Sequence, residues 1–222
     1  MTSSQSRPAL LVFGAALAEA LALVMVGGVC GRATLADVLD VYPDGAGVYE
    51  TIEAALAEAA DGDTVLLHEG TYTGDGNRNV GFLGKAVVVA SAAGDPHACI
   101  INCEALEGGP DLRGFSFVSG EGRNTVLRGI TVTNGYAEEG GALLIEGSSP
   151  TIVDCVFQGN RGRFGAAVRL QHSGASLMNC EFRENIGVGT GALLACWAPG
   201  PFLEKCRFEG NQSGMHGGAA YF

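Results

Sequence analysis

The feature that most limits how this 222-residue chain can fold is a repeat of nearly constant length. When Cys103, Gly129, Cys155, Cys180 and Cys206 are placed in one column, the intervals are 26, 26, 25 and 26 residues. Two residues further on stand Thr131, Phe157, Phe182 and Phe208; five residues further on stand Asn134, Asn160, Asn185 and Asn211. Small-residue corners keep the same interval, at Gly140-Gly141-Ala142, Gly165-Ala166-Ala167, Thr190-Gly191-Ala192 and Gly217-Gly218-Ala219. A unit of about 25 residues, built of short apolar runs between Gly and Asn turns, leaves no room for a helix in each repeat. The pattern therefore predicts an all-β solenoid, a parallel β-helix whose coils stack about 4.8 Å apart.

Alternation then assigns faces. The Cys and Phe columns are expected inside, as stacked ladders. Arg128, Asp154, Asn179 and Lys205 form one outward column, and Ile130, Val156, Glu181 and Arg207 form the other. Val126, Ile152, Leu177 and Leu203 are apolar where strict alternation points outward, which predicts a bend just before the Cys column. The Asn column is expected at a sharp left-handed corner, with amides bonded from coil to coil. Cys99 and Cys103, four apart, share a face of one strand. For the ladder cysteines packing is favoured over bridging, because Cβ atoms stacked about 4.8 Å apart exceed the usual 3.5 to 4.5 Å of a disulfide.

The chain ahead of the repeat reads differently. Thr51 is a good N-cap, and Ile52, Ala55, Leu56 and Ala59 share one helical face before the break at Asp61-Gly62-Asp63, so one short amphipathic capping helix is expected. Strands are expected at 64–68, 85–90 and 99–103. Residues 9–28 are apolar apart from Glu19 and lead into small residues, the pattern of a secretory signal. The domain boundaries are thus a signal peptide over 1–36 and a β-helix domain over 37–222, expected to be incomplete at its carboxy-terminal end. A secreted location follows from the signal. Glycine, at 35 residues against 7 prolines, fits a fold of many corners. A formal charge of −11 offers nothing to a phosphate backbone, so no nucleic-acid partner is expected. A membrane is expected only through the amino-terminal signal or a missing carboxy-terminal anchor.

Phe157-Gln158-Gly159-Asn160, Phe182-Arg183-Glu184-Asn185 and Phe208-Glu209-Gly210-Asn211 each read F-x-x-N beside a G-G-A-type corner. This resembles the repeat of the chlamydial polymorphic outer-membrane proteins and related right-handed β-helix proteins. The stretch from Tyr49 to Tyr72 is similar to the capping helix and first coil of pectate-lyase-like proteins. Together the resemblances span about residues 40–222. They imply a right-handed parallel β-helix, a cell-surface or outer-membrane location, and two classes of function, surface adhesion or binding and the breakdown of acidic polysaccharides.

Pectate lyases of this fold use stacked carboxylates to hold calcium and an arginine as base. The outward columns carry few acids, so Asp154, Glu181 and Arg207 are only weak candidates for a catalytic site. Met215-His216-Gly217 lacks the acids of a polygalacturonase site. His68, His97, His172 and His216 lack metal-ligand spacing, and Asp75-Gly76-Asn77 reads as a turn. No metal or other cofactor is expected, calcium arising only if the chain is an enzyme. The reading is a secreted or cell-surface β-helix repeat protein that acts in adhesion or binding, through an extended, loop-decorated flank and without catalysis. Its expected partner is an extracellular glycan or a host or cell-surface protein. The alternative is a carbohydrate-active enzyme, a polysaccharide lyase or glycoside hydrolase.

Overall fold

A computed structural model describes residues 36–197 and 199–222. The expected signal peptide lies, but for its last residue, outside the described residues. The rest is an all-β parallel solenoid of about seven coils. Among the described residues there is one helix, Ile52–Glu58. Thr51 caps it by accepting a hydrogen bond from the Ala54 N–H, and Ile52, Ala55 and Leu56 are turned into the core.

Each regular coil contributes one strand to each of four sheets. Sheet 1 contains Val38–Val41, Thr64–Leu67, Val88–Ser91, Val126–Arg128, Thr151–Val153, Ser176–Met178 and Phe202–Glu204. Sheet 2 contains Gly70–Tyr72, Cys99–Asn102, Thr131–Thr133, Val156–Gln158, Glu181–Arg183 and Arg207–Glu209. Sheet 3 is short: Tyr136–Glu139, Arg161–Phe164, Ile186–Gly187 and Gln212–Ser213. Sheet 4 closes the coil with Val80–Gly81, Phe115–Phe117, Leu143–Glu146, Val168–Gln171, Leu193–Cys196 and Ala220–Tyr221. Every strand pair within these sheets is parallel, and the core runs down the axis as columns of like residues.

The register corrects the earliest part of the repeat. Val156 pairs with Thr131 and Ile100 also pairs with Thr131, so one residue upstream the interior column is Cys99, Ile130, Cys155, Cys180 and Cys206. Cys103 and Gly129 are not members of it, and Ile130 points inward rather than outward. Val132, not Thr131, precedes Phe157, Phe182 and Phe208. The Phe182 ring lies 5.1 Å from that of Phe157 and 4.5 Å from that of Phe208, centre to centre. Burial pushes the thiols of Cys99, Cys103 and Cys155 up to about 12, which keeps them as apolar filling. The described cysteines are free thiols.

The expected bend before the Cys column is present, one residue wide. Gly129, Asp154, Asn179 and Lys205 occupy it with left-handed φ of 67°, 53°, 54° and 54°. This bend swaps the two faces, which is why Leu127, Ile152, Leu177 and Leu203 all point inward. The outward column therefore begins at Gly129, not Arg128. The second corner differs from expectation. Its left-handed residues are Asn134, as expected, and then Gly159, Glu184 and Gly210, each one place before the Asn of its coil. Asn160 and Asn185 follow them, fully buried, and bond from coil to coil. Asn160 Nδ2 donates to Asn185 Oδ1 at 3.1 Å and Asn185 Nδ2 donates to Asn211 Oδ1 at 2.9 Å. Gly135 takes the ladder position in the first coil, and its N–H donates to Asn160 Oδ1. The left-handed conformation thus falls to a neighbour, because the Asn side chain is committed inward.

Candidate functional site

The regular coils set 25 residues between Ile130 and Cys155, whereas 31 separate Cys99 from Ile130. The extra length is spent just after the strand Cys99–Asn102, while a shorter loop precedes that strand. Both loops rise beside the outer face of sheet 2.

The leading loop, residues 92–98, turns at Gly94, whose φ is 67°. Asp95 Oδ1 accepts from the His97 N–H, and the Pro96 carbonyl accepts from the Thr131 hydroxyl at 2.8 Å. The loop thereby covers Thr131 and Val156, outward-facing residues that are only 6 % and 2 % exposed. The trailing loop, residues 103–113, carries the turn sequence Gly108-Gly109-Pro110. It returns beside sheet 3, where Leu112 and Tyr136 exchange backbone hydrogen bonds of 2.8 and 2.9 Å. Asp111 Oδ1 accepts from the Glu138 N–H, and Asn79 Nδ2 donates to the Asp111 carbonyl. Its tip is tied down by Arg161, which donates to Glu107 Oε2 at 2.5 Å.

Between the loops lies a floor of two outward columns. One reads Thr131, Val156, Glu181 and Arg207; the other reads Asn102, Thr133, Gln158, Arg183 and Glu209. A cleft of about 480 Å³ opens under the trailing loop, lined in part by Asn102, Glu104, Asn134, Tyr136 and Arg161. A smaller hollow of about 150 Å³ continues it across Tyr136 and Arg161 towards Ile186 and Val188. On the opposite margin a cleft of about 370 Å³ lies under the leading loop, with His97, Asp154, Asn179 and Glu181 in its lining.

The electrostatics of this flank are those of closed pairs. Arg161 is held by Glu107, Arg163 by Glu138 at 3.0 Å, Arg183 by Glu181, and Arg207 by Glu209 at 2.9 Å. At the foot of the trailing loop Arg78 meets Asp75 at 3.2 Å, and Arg113 meets Asp111 at 3.1 Å. Among the described residues no group of three or more His, Cys, Asp or Glu side chains is arranged to hold a metal ion.

The residues singled out from sequence are partly brought together. Asp154 and Glu181 line the same cleft. Arg207 is the register neighbour of Glu181 one coil on, but its guanidinium turns to Glu209. Glu181 is itself engaged by Arg183. His97 joins this cleft from a loop far away in sequence. Tyr136, Arg161 and Glu107, which shape the larger cleft, were not anticipated. The six-residue excess after Cys99 was the available signal for them, but it was hidden by aligning Cys103 with Gly129.

A family model described as "Right handed beta helix region" matches residues 67–221. No curated protein and no solved structure matches the chain.

Proposed function

The chain belongs to the right-handed β-helix family, and on that premise we propose that it is a binding protein of the secreted or cell-surface class, holding an extended glycan along the outer face of sheet 2. The observation that carries this reading is the placement of loops at both ends of one strand, Cys99–Asn102, so that both margins of the same floor are walled. A polymer laid along the axis would meet a polar side chain of the Asn102, Thr133, Gln158, Arg183 and Glu209 column at every coil, about 4.8 Å apart, while the walls fix its lateral position. Tyr136 and the pocket around it supply the apolar surface that a sugar ring stacks on, and the amides of Asn102, Asn134 and Gln158 supply donors and acceptors. The family scaffold carries several chemistries, so the site and not the fold has to decide.

The test is a screen of the purified full chain against immobilised glycans, repeated with Tyr136→Ala and Gln158→Ala. Binding that both substitutions weaken by about tenfold supports the reading. Binding that neither changes, or capture of a protein ligand only, overturns it.

A second reading is favoured by one observation, that Asp154 and Glu181 line a common cleft with His97. Two carboxylates beside a bound sugar are the minimum for general acid and base work on a glycosidic bond. This reading is tested by reducing-end release from polysaccharides: turnover abolished by Asp154→Ala and by Glu181→Ala would establish it, and turnover that survives both would remove these residues.

A further inference from the structure

Resting on the reading of sheet 2 as a glycan-binding flank, we infer that its ligand is a neutral polyhydroxylated polysaccharide and not the polyuronate to which the fold resemblance points. The ground is the disposition of charge. Each of four arginines on the floor, at the larger cleft and at the smaller hollow, Arg183, Arg207, Arg161 and Arg163, already has a carboxylate of this chain as its partner. A uronate that used the spare donors of one of these guanidiniums would set its carboxylate beside Glu107, Glu138, Glu181 or Glu209, where the cation is already neutralised and two like charges face each other. The chain as a whole carries −11, which adds a general repulsion of polyanions.

A neutral sugar meets the same groups on different terms. A carboxylate has about four lone-pair sites and a guanidinium five N–H donors, so an ion pair made through one contact keeps acceptors and donors to spare. They are held side by side, in fixed geometry, which suits the adjacent hydroxyls of a pyranose. Arg161 and Glu107 are still about half and two-thirds exposed as side chains, at 48 % and 69 %, so their remaining sites face the cleft and solvent. Tyr136 beside them offers a ring to the apolar face of the sugar. Hydroxyl recognition through pre-paired charges also costs little in conformational entropy, because each side chain is already restrained by its partner.

The experiment is calorimetric titration of the full chain with cellohexaose, xylohexaose, mannohexaose and hexagalacturonate, at about 20 and about 300 mM salt. At least one neutral hexasaccharide is expected to bind about tenfold more tightly than hexagalacturonate, with an affinity that changes less than about twofold between the two salts. Tyr136→Ala should weaken it about tenfold, and circular dichroism of the variant should confirm the unchanged fold. Glu107→Gln, which removes the charge but keeps an acceptor and frees Arg161, should raise hexagalacturonate affinity severalfold and leave the neutral ligand within about threefold. Tighter binding of hexagalacturonate that falls with salt and is lost in Tyr136→Ala would overturn the inference while keeping the flank as a glycan site. Binding of no hexasaccharide, or binding indifferent to Tyr136→Ala, would overturn the inference together with the reading it rests on.

Discussion

The two corners at either end of each sheet 2 strand solve the same problem by opposite means. At the corner after the strand, Asn185 is fully buried, and its side chain closes four hydrogen bonds: it accepts from the N–H and the amide of Asn160, and donates to the Phe157 carbonyl and to Asn211. At the corner before it, Asp154, Asn179 and Lys205 are turned by a left-handed backbone at φ near 54°, with Asn179 and Lys205 exposed and Asp154 half-buried. The first corner is held by polar satisfaction of buried groups, the second by acceptance of a conformation that L-residues resist. The difference is that the buried corner commits its side chains to the fold, whereas the exposed one leaves its side chains available for a binding surface. Asp154 and Asn179 do line a cleft.

The strand joining the corners sets the upper limit of the comparison. Phe182 touches a ring on both sides, so Phe182→Ala should cost about 3 to 5 kcal/mol, more than any change at either corner. Since coils couple mainly to their neighbours, hydrogen exchange should show protection lost at 206–211 before 64–67. Equal loss at both ends would contradict an axial, nearest-neighbour core.

Asn185→Ala tests the buried corner. It strands the N–H of Asn160 and leaves the Phe157 carbonyl without its side-chain donor, so a loss of about 2 to 4 kcal/mol is expected in denaturant unfolding. Asn179→Ala, at the exposed corner, should stay within about 1 kcal/mol. Equal costs at the two Asn positions would abolish the distinction.

A third kind of corner, in the irregular half, adds pH. Glu121 is 2 % exposed, and burial alone would raise its carboxyl. The N–H groups of Gly84 and Ser119 and the hydroxyl of Ser148 overcome this and hold it below the ordinary 4.5. A depressed carboxylate contributes stability above its unfolded value and loses it as pH falls through the folded one. Glu121→Gln should therefore cost about 1 to 3 kcal/mol at neutral pH, and the gap to wild type should close below about pH 4.5. A gap that is unchanged in acid would mean that shape, not charge, is what Gly84 and Ser148 require.

The same contrast explains what the sequence made legible. The coil length, the inward Phe column and the capping helix could be read directly, because a buried column repeats its chemistry at every turn. The bend before the Cys column was visible as a break in alternation, although its left-handed residues, Asp154, Asn179 and Lys205, share no side-chain type. Where backbone conformation carries the corner, residue identity is nearly free to vary. The first regular coil was misaligned for a related reason: Ile130 and Val132 fill the Cys and Phe positions, Gly135 fills that of Asn, and Gly129, Thr131 and Asn134 mimic the pattern one residue early. The larger cleft was illegible because it is made by a loop of a different coil folding back on Tyr136, a contact without periodic signature.

The smallest effect separates the members of the exposed corner. Lys205 adopts φ of 54° although its side chain can neither bond its own backbone nor relieve the clash of Cβ. Among the described residues its ionic neighbour is Glu204, at 3.7 Å in an exposed position, which contributes little. Lys205→Gly removes a left-handed cost of about 1 to 2 kcal/mol and adds unfolded-state freedom of about 0.4 to 1 kcal/mol, a net gain of about 0.5 to 1 kcal/mol. Thermal unfolding should shift up by about 2 °C on that account. Asn179→Gly should gain nothing, since Asn tolerates the conformation and its Nδ2 donates to Asp154 Oδ1 at 2.7 Å. A stabilised Asn179→Gly, or a destabilised Lys205→Gly, would show that side-chain contacts and not backbone geometry govern this corner after all.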